Sequence, residues 1–388
     1  MKKILINARI FTPLQEIENG MIEIQDGFIT NIAQQKNNDL QPDGEIIDAH
    51  ENIVTAGWLD AHTHGGNGFD YMEANEDQIT EILQWLASTG VTSVLPTIAS
   101  SPLDQMAANI GRLVSVRKKN ISGAKIAGIH LEGPFLNCAM RGAQPEHAIR
   151  NPSIEEMKRL LDAGEGLIRL VTLAPELPGA DEVIRMLVSA GITVSCGHSN
   201  ASYEEFVHAV SIGVNRVAHT FNTMPPFHHR KPGLLGGAFL EDSVYCELIL
   251  DGFHVVPSVA KLLVNIKGTD KVVLITDATQ AAGLPDGDYI RPGDRKITVR
   301  NGIARLPSGA LAGSTLTMNR AVKNMVNLLD IPLIDALKMG SINAVRSLQL
   351  EAHSGSIGIG KPADLIVLNN ELDVITTMIN GEIVFSAS

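Results

Sequence analysis

The stretch "ADEVIRMLVSAGITVSCGHSNASYEEFVHAV", residues 180–210, decides the fold. Its first part places apolar residues at helical spacing and stops at Gly191, where a helix is expected to end. "ITVSCGH" (192–198) is a short apolar run of strand type, and "ASYEEFVHAV" (201–210) returns to a helical pattern. This is a helix–strand–helix unit with an imidazole, His198, just past the strand tip. Alone, such a histidine reads as a satisfied core or loop residue. The question is whether other strands of the chain end the same way.

The rhythm repeats outward from there. Apolar runs stand at 57–62, 91–97, 125–132, 167–174, 216–220, 245–251 and 271–277, with helical patterns such as "EDQITEILQWLASTG" (76–90) between them. Eight strands, most followed by a helical crossover, predict a parallel sheet closed into a (β/α)8 TIM-like barrel. An open doubly wound sheet is the alternative, and the lack of a GxGxxG after the first strand weighs against it. Both ends of the chain differ from this middle. "ILINARIF" (4–11), "GMIEIQDG" (20–27) and "FITNIAQ" (28–34) alternate apolar and polar residues, with Asp26-Gly27 as a hairpin turn. "ADLIVLN" (363–369), "VITTMIN" (374–380) and "EIVFS" (382–386) read the same way. We therefore expect a small β-sandwich domain built from residues 1–56 and 359–388, and a (β/α)8 barrel domain over 57–358.

Composition bounds the function. The 388 residues are 44% hydrophobic and carry a formal net charge of −12. That supports a large core and disfavours a general nucleic-acid binder or a polybasic membrane binder. Cys138, Cys196 and Cys246 show no CxxC spacing, which suits a reducing compartment. Asn7 and Arg9 interrupt the apolar stretch after Met1-Lys2-Lys3, and no run of 18 apolar residues occurs, so the expected location is cytoplasmic.

The strand ends carry the chemistry. The first ends in His62-Thr63-His64, the third in His130-Leu131-Glu132, the fifth in His198, the sixth in His219, the seventh in Asp251 with His254 three residues on, and the eighth in Asp277. Each has a plain structural explanation. Glu132 could shape the turn at Gly133-Pro134, Asp277 could cap a helix starting near Ala278, and His254 could merely precede the helix of "VVPSVAKLL". Together they gather imidazoles and carboxylates at the one barrel mouth where active sites sit, which is a donor set for zinc or a related divalent ion.

These motifs resemble those of the amidohydrolase superfamily, and most closely the N-acetylglucosamine-6-phosphate deacetylases. The resemblance rests on "DAHTHGGNG" (60–68), "GIHLEGPF" (128–135), "VTLAPE" (171–176), "GHSNA" (197–201), "AHTFNTM" (218–224), "RKPG" (230–233), "DGFHV" (251–255), "ITDAT" (275–279) and "LAGSTLTM" (311–318). It implies that Glu132, His198 and His219 hold the principal divalent metal: zinc first, with iron, manganese or cobalt as alternatives. Some family members lack an HxH pair and use one metal. Here the pair is present, so a second ion between His62, His64 and a bridging Glu132 is the favoured reading, and supporting imidazoles the other. Hydantoinase-type relatives use a carboxylated Lys after the fourth strand, and "LIRLVTLAPE" (167–176) has none.

By the same resemblance, Asp277 is the acid–base residue and His254 contacts the substrate near the reacting group. Asn222 and the Thr223 backbone N–H receive the phosphate. Arg230 reaches in from the neighbouring subunit of a homodimer. Without the resemblance, "HHRKPG" (228–233) could be a solvated surface loop. Where some relatives place a sugar-facing His after the third strand, this chain has Gln144, with His147 three residues on. That departure leaves the epimer preference open. The expected reaction is hydrolysis of N-acetylglucosamine 6-phosphate to glucosamine 6-phosphate and acetate. The rivals are the galactosamine epimer, another cyclic amidohydrolase, and a non-catalytic barrel scaffold. Gly197 is expected to leave room beside the metal, and Ser199 and Asn200 to start the next helix.

Overall fold

The computed structural model describes residues 2–35, 44–119, 121–291, 295–352 and 354–387. Residues 36–43, inside the first terminal segment, lie outside the described residues. Eight parallel strands pair in chain order: Trp58–Thr63, Val91–Ala99, Ile129–Glu132, Ile168–Leu173, Thr193–Cys196, Arg216–Val217, Tyr245–Leu248 and Val272–Leu274. We number these barrel strands 1 to 8. Strand 8 is tied back to strand 1 by individual hydrogen bonds. Asp277 N–H donates to the His62 carbonyl at 2.8 Å. The buried Asp60 carboxylate accepts from the Thr276 hydroxyl and from the Thr276 and His62 N–H groups. The result is a nearly closed barrel.

A helix follows each strand: α1 (Glu76–Ser88), α2 (Leu103–Arg117), α3 (Ile154–Ala163), α4 (Ala180–Ser189), α5 (Tyr203–Ser211), α6 (Gly233–Leu240), α7 (Pro257–Lys267) and α8 (Met318–Leu329). Local chemistry accounts for their limits. Asn75 and Gln78 form a reciprocal capping box at the start of α1, ahead of the buried stripe Ile79, Ile82, Leu83 and Leu86. Ser202 and Glu205 do the same for α5. The cap of that helix thus lies two residues beyond Asn200. Ser199 instead donates its hydroxyl to Glu176, and the Asn200 N–H donates to the same carboxylate. α4 carries Val183, Ile184 and Leu187 inward, and Gly191 (φ 71°) takes the left-handed turn that follows it.

The chain ends share one sheet. Its strand order runs Glu382–Ser386, Val374–Ile379, Leu365–Leu368, Ile53–Ala56, Lys2–Phe11, Glu16–Gln25, Phe28–Gln34, with Glu45–Asp48 pairing Lys2–Phe11 at the side. The hairpin at Asp26-Gly27 has both residues at positive φ, as its turn type requires. The sandwich takes the form of a single continuous sheet, and Ile53–Ala56 and Glu45–Asp48 pair parallel rather than antiparallel with Lys2–Phe11. It curls until Phe28 bridges Pro362, enclosing Leu5, Ile10, Ile22, Ile24, Leu365 and Met378.

Two further features bear on the site. A three-stranded antiparallel sheet (Gly287–Arg291, Arg295–Arg300, Ile303–Arg305) interrupts the chain between barrel strand 8 and α8. The sequence reading passed over it, although Asn301-Gly302 is a hairpin signal. The second is α10 (Ile342–Ser347), which follows α9 (Leu333–Gly340) and lies beneath the strand starts. The Ser347 carbonyl accepts from Thr193 and Asn215, at the start of strand 5 and just before strand 6. Among the described residues, no helix is long and apolar enough to cross a membrane.

Candidate metal centre and active site

Alternation along a strand places residues i and i+2 on one face. On strand 1 this aligns Asp60 and His62, and on strand 3 His130 and Glu132. All four are fully or almost fully buried, and the barrel interior is accordingly polar. His130 is held between the Thr97 hydroxyl (3.0 Å) and the Thr172 hydroxyl (2.8 Å), and its ring meets that of His62 edge-on at 4.5 Å.

Glu132 is the centre of the site. Its Oε1 lies 3.0 Å from His198 Nε2, 3.2 Å from His219 Nε2 and 3.3 Å from His62 Nε2. Its Oε2 lies 3.4 Å from His64 Nε2 and accepts a hydrogen bond from the Gln144 amide. One carboxylate therefore belongs to two groups of ligand atoms, His62–His64–Glu132 and Glu132–His198–His219, each close enough to hold one ion. His198 Nε2 and His219 Nε2 face each other at 3.2 Å. Two imidazole lone pairs so placed repel unless a proton or a metal ion lies between them, and this donor set of neutral nitrogen and carboxylate oxygen suits zinc-type ions.

Electrostatics agree. Burial pushes the Glu132 carboxyl up, but the charge and hydrogen bond of His198, with His219 and His62, outweigh it and hold it well below the usual range. Asp277 is likewise raised by burial and lowered more by His64 and His62, to about 2. Burial lowers His62, yet Glu247 and Glu132 carry it well above its ordinary value. The site is built to hold positive charge, and a divalent ion would displace protons on entering.

Three of these residues leave their strands through the left-handed region: His198 (φ 49°), His219 (φ 27°) and Asp277 (φ 47°). Such strain concentrates where a side chain must be aimed. No helix begins at Ala278, which bridges Ser314 ahead of turns at 280–283, so Asp277 is not a cap. Its Oδ1 lies 3.2 Å from His64 Nε2 and 3.9 Å from His62 Nε2. Gly197 does not make room for a metal. A Cβ there would stand 2.7 Å from Ala218 Cβ and 2.8 Å from Thr172 Cγ2, so the position serves close strand packing.

The cavity above the ligands is about 310 Å³. His64, Glu132, His198, His219, Asp277, Asn222, Thr223, His254 and Gln144 all line it. His254 turns Nδ1 onto Asp251 at 2.6 Å. Arg230 and His147 are exposed and outside this lining. Sequence reasoning missed Glu247 and Arg216. Glu247 accepts from Arg216 Nε at 2.8 Å and lies 2.9 Å from His62 Nδ1, all three fully buried. Two opposite charges inside the apolar strands "NRVAH" (215–219) and "YCELIL" (245–250) were the available signal.

A barrel whose strand ends converge imidazoles and carboxylates on one mouth is the architecture of metal-assisted hydrolases. The Amidohydrolase family profile matches residues 53–384. An N-acetylglucosamine-6-phosphate deacetylase of Bacillus subtilis is 36% identical over 380 residues, covering 97% of this chain and 95% of that one. An N-acetylgalactosamine-6-phosphate deacetylase of Escherichia coli O157:H7 is 33% identical over 383 residues, covering 99% of each. The crystal structure of N-acetylglucosamine-6-phosphate deacetylase from Pasteurella multocida superposes with a TM-score of 0.93 at 31% identity, over 100% of both chains. The chain belongs to the amidohydrolases and, within them, to the N-acetylglucosamine-6-phosphate deacetylase family.

Proposed function

We propose that this protein hydrolyses the acetamide of N-acetylglucosamine 6-phosphate to glucosamine 6-phosphate and acetate. The observation that carries the reading is the sharing of Glu132 by four imidazoles with Asp277 facing them. Glu132, His198 and His219 would hold one divalent ion, with zinc favoured, and His62 and His64 with Glu132 a second. When bound, the metal supplies Lewis acidity that activates water and polarises the amide carbonyl. Asp277, ionised and facing the ligands, takes the proton of the attacking water and delivers it to the departing amine. His254, fixed by Asp251, offers its Nε2 edge to the reacting group.

Asn222 and the Thr223 N–H, on the rim beyond His219, would receive the phosphate. Arg230 lies outside the pocket of its own chain, which fits a homodimer in which it serves the neighbour's pocket. A guanidinium fork suits a phosphate. Cys138, Cys196 and Cys246 are unpaired, in keeping with a cytoplasmic enzyme.

The galactosamine epimer is the second reading, favoured by the galactosamine-6-phosphate relative that covers 99% of this chain. Acetate release from each 6-phosphorylated epimer, measured with metal content on the same sample, decides between them. A higher kcat/KM on the glucosamine epimer is expected, the reverse order would favour the second reading, and no release from either would sink both. Arg230→Ala should raise KM by about tenfold or more, the weight of one charge-assisted hydrogen bond. Mixing it with Asp277→Asn subunits should restore part of the activity if the arginine acts across the interface.

A further inference from the structure

An imidazole can present Nε2 to a metal only when its remaining proton sits on Nδ1, and a hydrogen-bond acceptor at Nδ1 fixes that choice. For His62 the acceptor is Glu247 Oε2, at 2.9 Å. We propose that Glu247 is the positioning residue of the second ion position: it holds His62 with Nε2 aimed at Glu132, and Arg216 is the buried counter-charge that keeps it there. This rests on the two-ion reading of the site.

The surroundings leave Glu247 little freedom. Oε2 also accepts the His219 backbone N–H at 2.9 Å, so one carboxylate touches a residue of each ligand group. Oε1 accepts from Arg216 Nε at 2.8 Å. Arg216 in turn donates to the Ser347 hydroxyl in α10. His130, pinned by two threonines, stands edge-on to His62 and blocks rotation of the ring. A buried Arg–Glu pair is poor value as a stabiliser, because desolvation offsets its attraction. Its position under a metal ligand gives it a different use.

The test uses the full-length protein, stripped with chelator and reloaded with zinc, with ion number and affinities read by competition against a chromophoric chelator. Wild type should take up two equivalents and His62→Ala one. Glu247→Gln should bind the ion of the His62 group about 10- to 100-fold more weakly, and the ion of the His219 group with a smaller loss, because the His219 N–H gives up its acceptor as well. With Arg216 still present, the new amide must turn its oxygen to the guanidinium and its NH2 to His62. Should this variant not fold, Glu247→Leu combined with Arg216→Met leaves no stranded charge and carries the same expectation. The zinc-loaded wild type gives an independent readout. With ¹⁵N-labelled histidine, His62 should show a downfield, slowly exchanging Nδ1–H.

Unaltered affinity for both ions in the variants, or a wild-type His62 that ligates through Nδ1, would overturn the role of Glu247 and leave the two-ion reading standing. A wild type that binds one ion, which His62→Ala leaves in place, would overturn both.

Discussion

At the scale of the residue, Asp277 is set apart from the other carboxylate of the pocket. Glu132 is enclosed by four imidazoles and the Gln144 amide, with both oxygens engaged. Asp277 spends one oxygen on His64, at 3.2 Å, and faces the cavity. Replacement by Asn keeps the shape and removes the proton acceptor. Asp277→Asn should keep its full metal complement by elemental analysis and lose about 10²- to 10⁴-fold in kcat. Near-normal turnover would remove it from the acid–base role. His62 and the glutamate that ends strand 3 were legible because their direction follows from strand periodicity. The tautomer of His62 was not. Its acceptor, Glu247, lies 185 residues away, and only barrel closure brings the two together.

At the scale of the element, the segment around "LAGSTLTM" explains how a strained residue is held. Ser314 N–H donates to the Asp277 carbonyl at 2.8 Å, Thr279 N–H donates to the Ser314 carbonyl at 3.0 Å, and Ala278 bridges Ser314. This segment follows the three-stranded sheet, whose own small core contains Ile297, Val299 and Ala304. Gly313 sits at φ 64°, where a Cβ would come within 2.9 Å of the Asp277 carbonyl oxygen and 2.6 Å of Thr279 Cγ2. Gly313→Ala should therefore lower kcat while leaving metal content unchanged, since the atoms an added Cβ would meet first belong to Thr279 and Asp277 and not to a candidate ligand; unchanged kinetics would show that Asp277 does not depend on this support. The sequence runs overstated the strands. "RVAHT" is a strand only over Arg216–Val217, because His219 must leave it left-handed to reach Glu132. Hydrophobicity marks where a strand is buried and says nothing about where it bends to aim a ligand.

At the scale of the whole molecule, the candidate ligands come from barrel strands 1, 3, 5 and 6. An ion shared among them would cross-link the barrel mouth and bind the folded state alone. Chelation should lower Tm, and zinc at about a hundred times its Kd should restore about 2.7 kcal/mol per site. A Tm indifferent to chelator would mean that no ion binds the folded state in preference to the unfolded one. The barrel itself was legible from the alternation of strand and helix. The continuity of the terminal sheet was not, because alternation shows which face of a strand is buried and leaves its partner open.

That sheet bears on how the chain is made. Ile53–Ala56 lies between Lys2–Phe11, already synthesised when it emerges, and Leu365–Leu368, some 300 residues from being translated. Throughout that interval the nascent chain carries an apolar strand with one edge unpaired, a template for pairing with another chain. Release before residue 365 leaves the edge open for good, whatever the barrel has achieved. Completion of the last strands is thus a test of chain integrity, and prematurely terminated molecules should collect in the insoluble fraction rather than as free barrels.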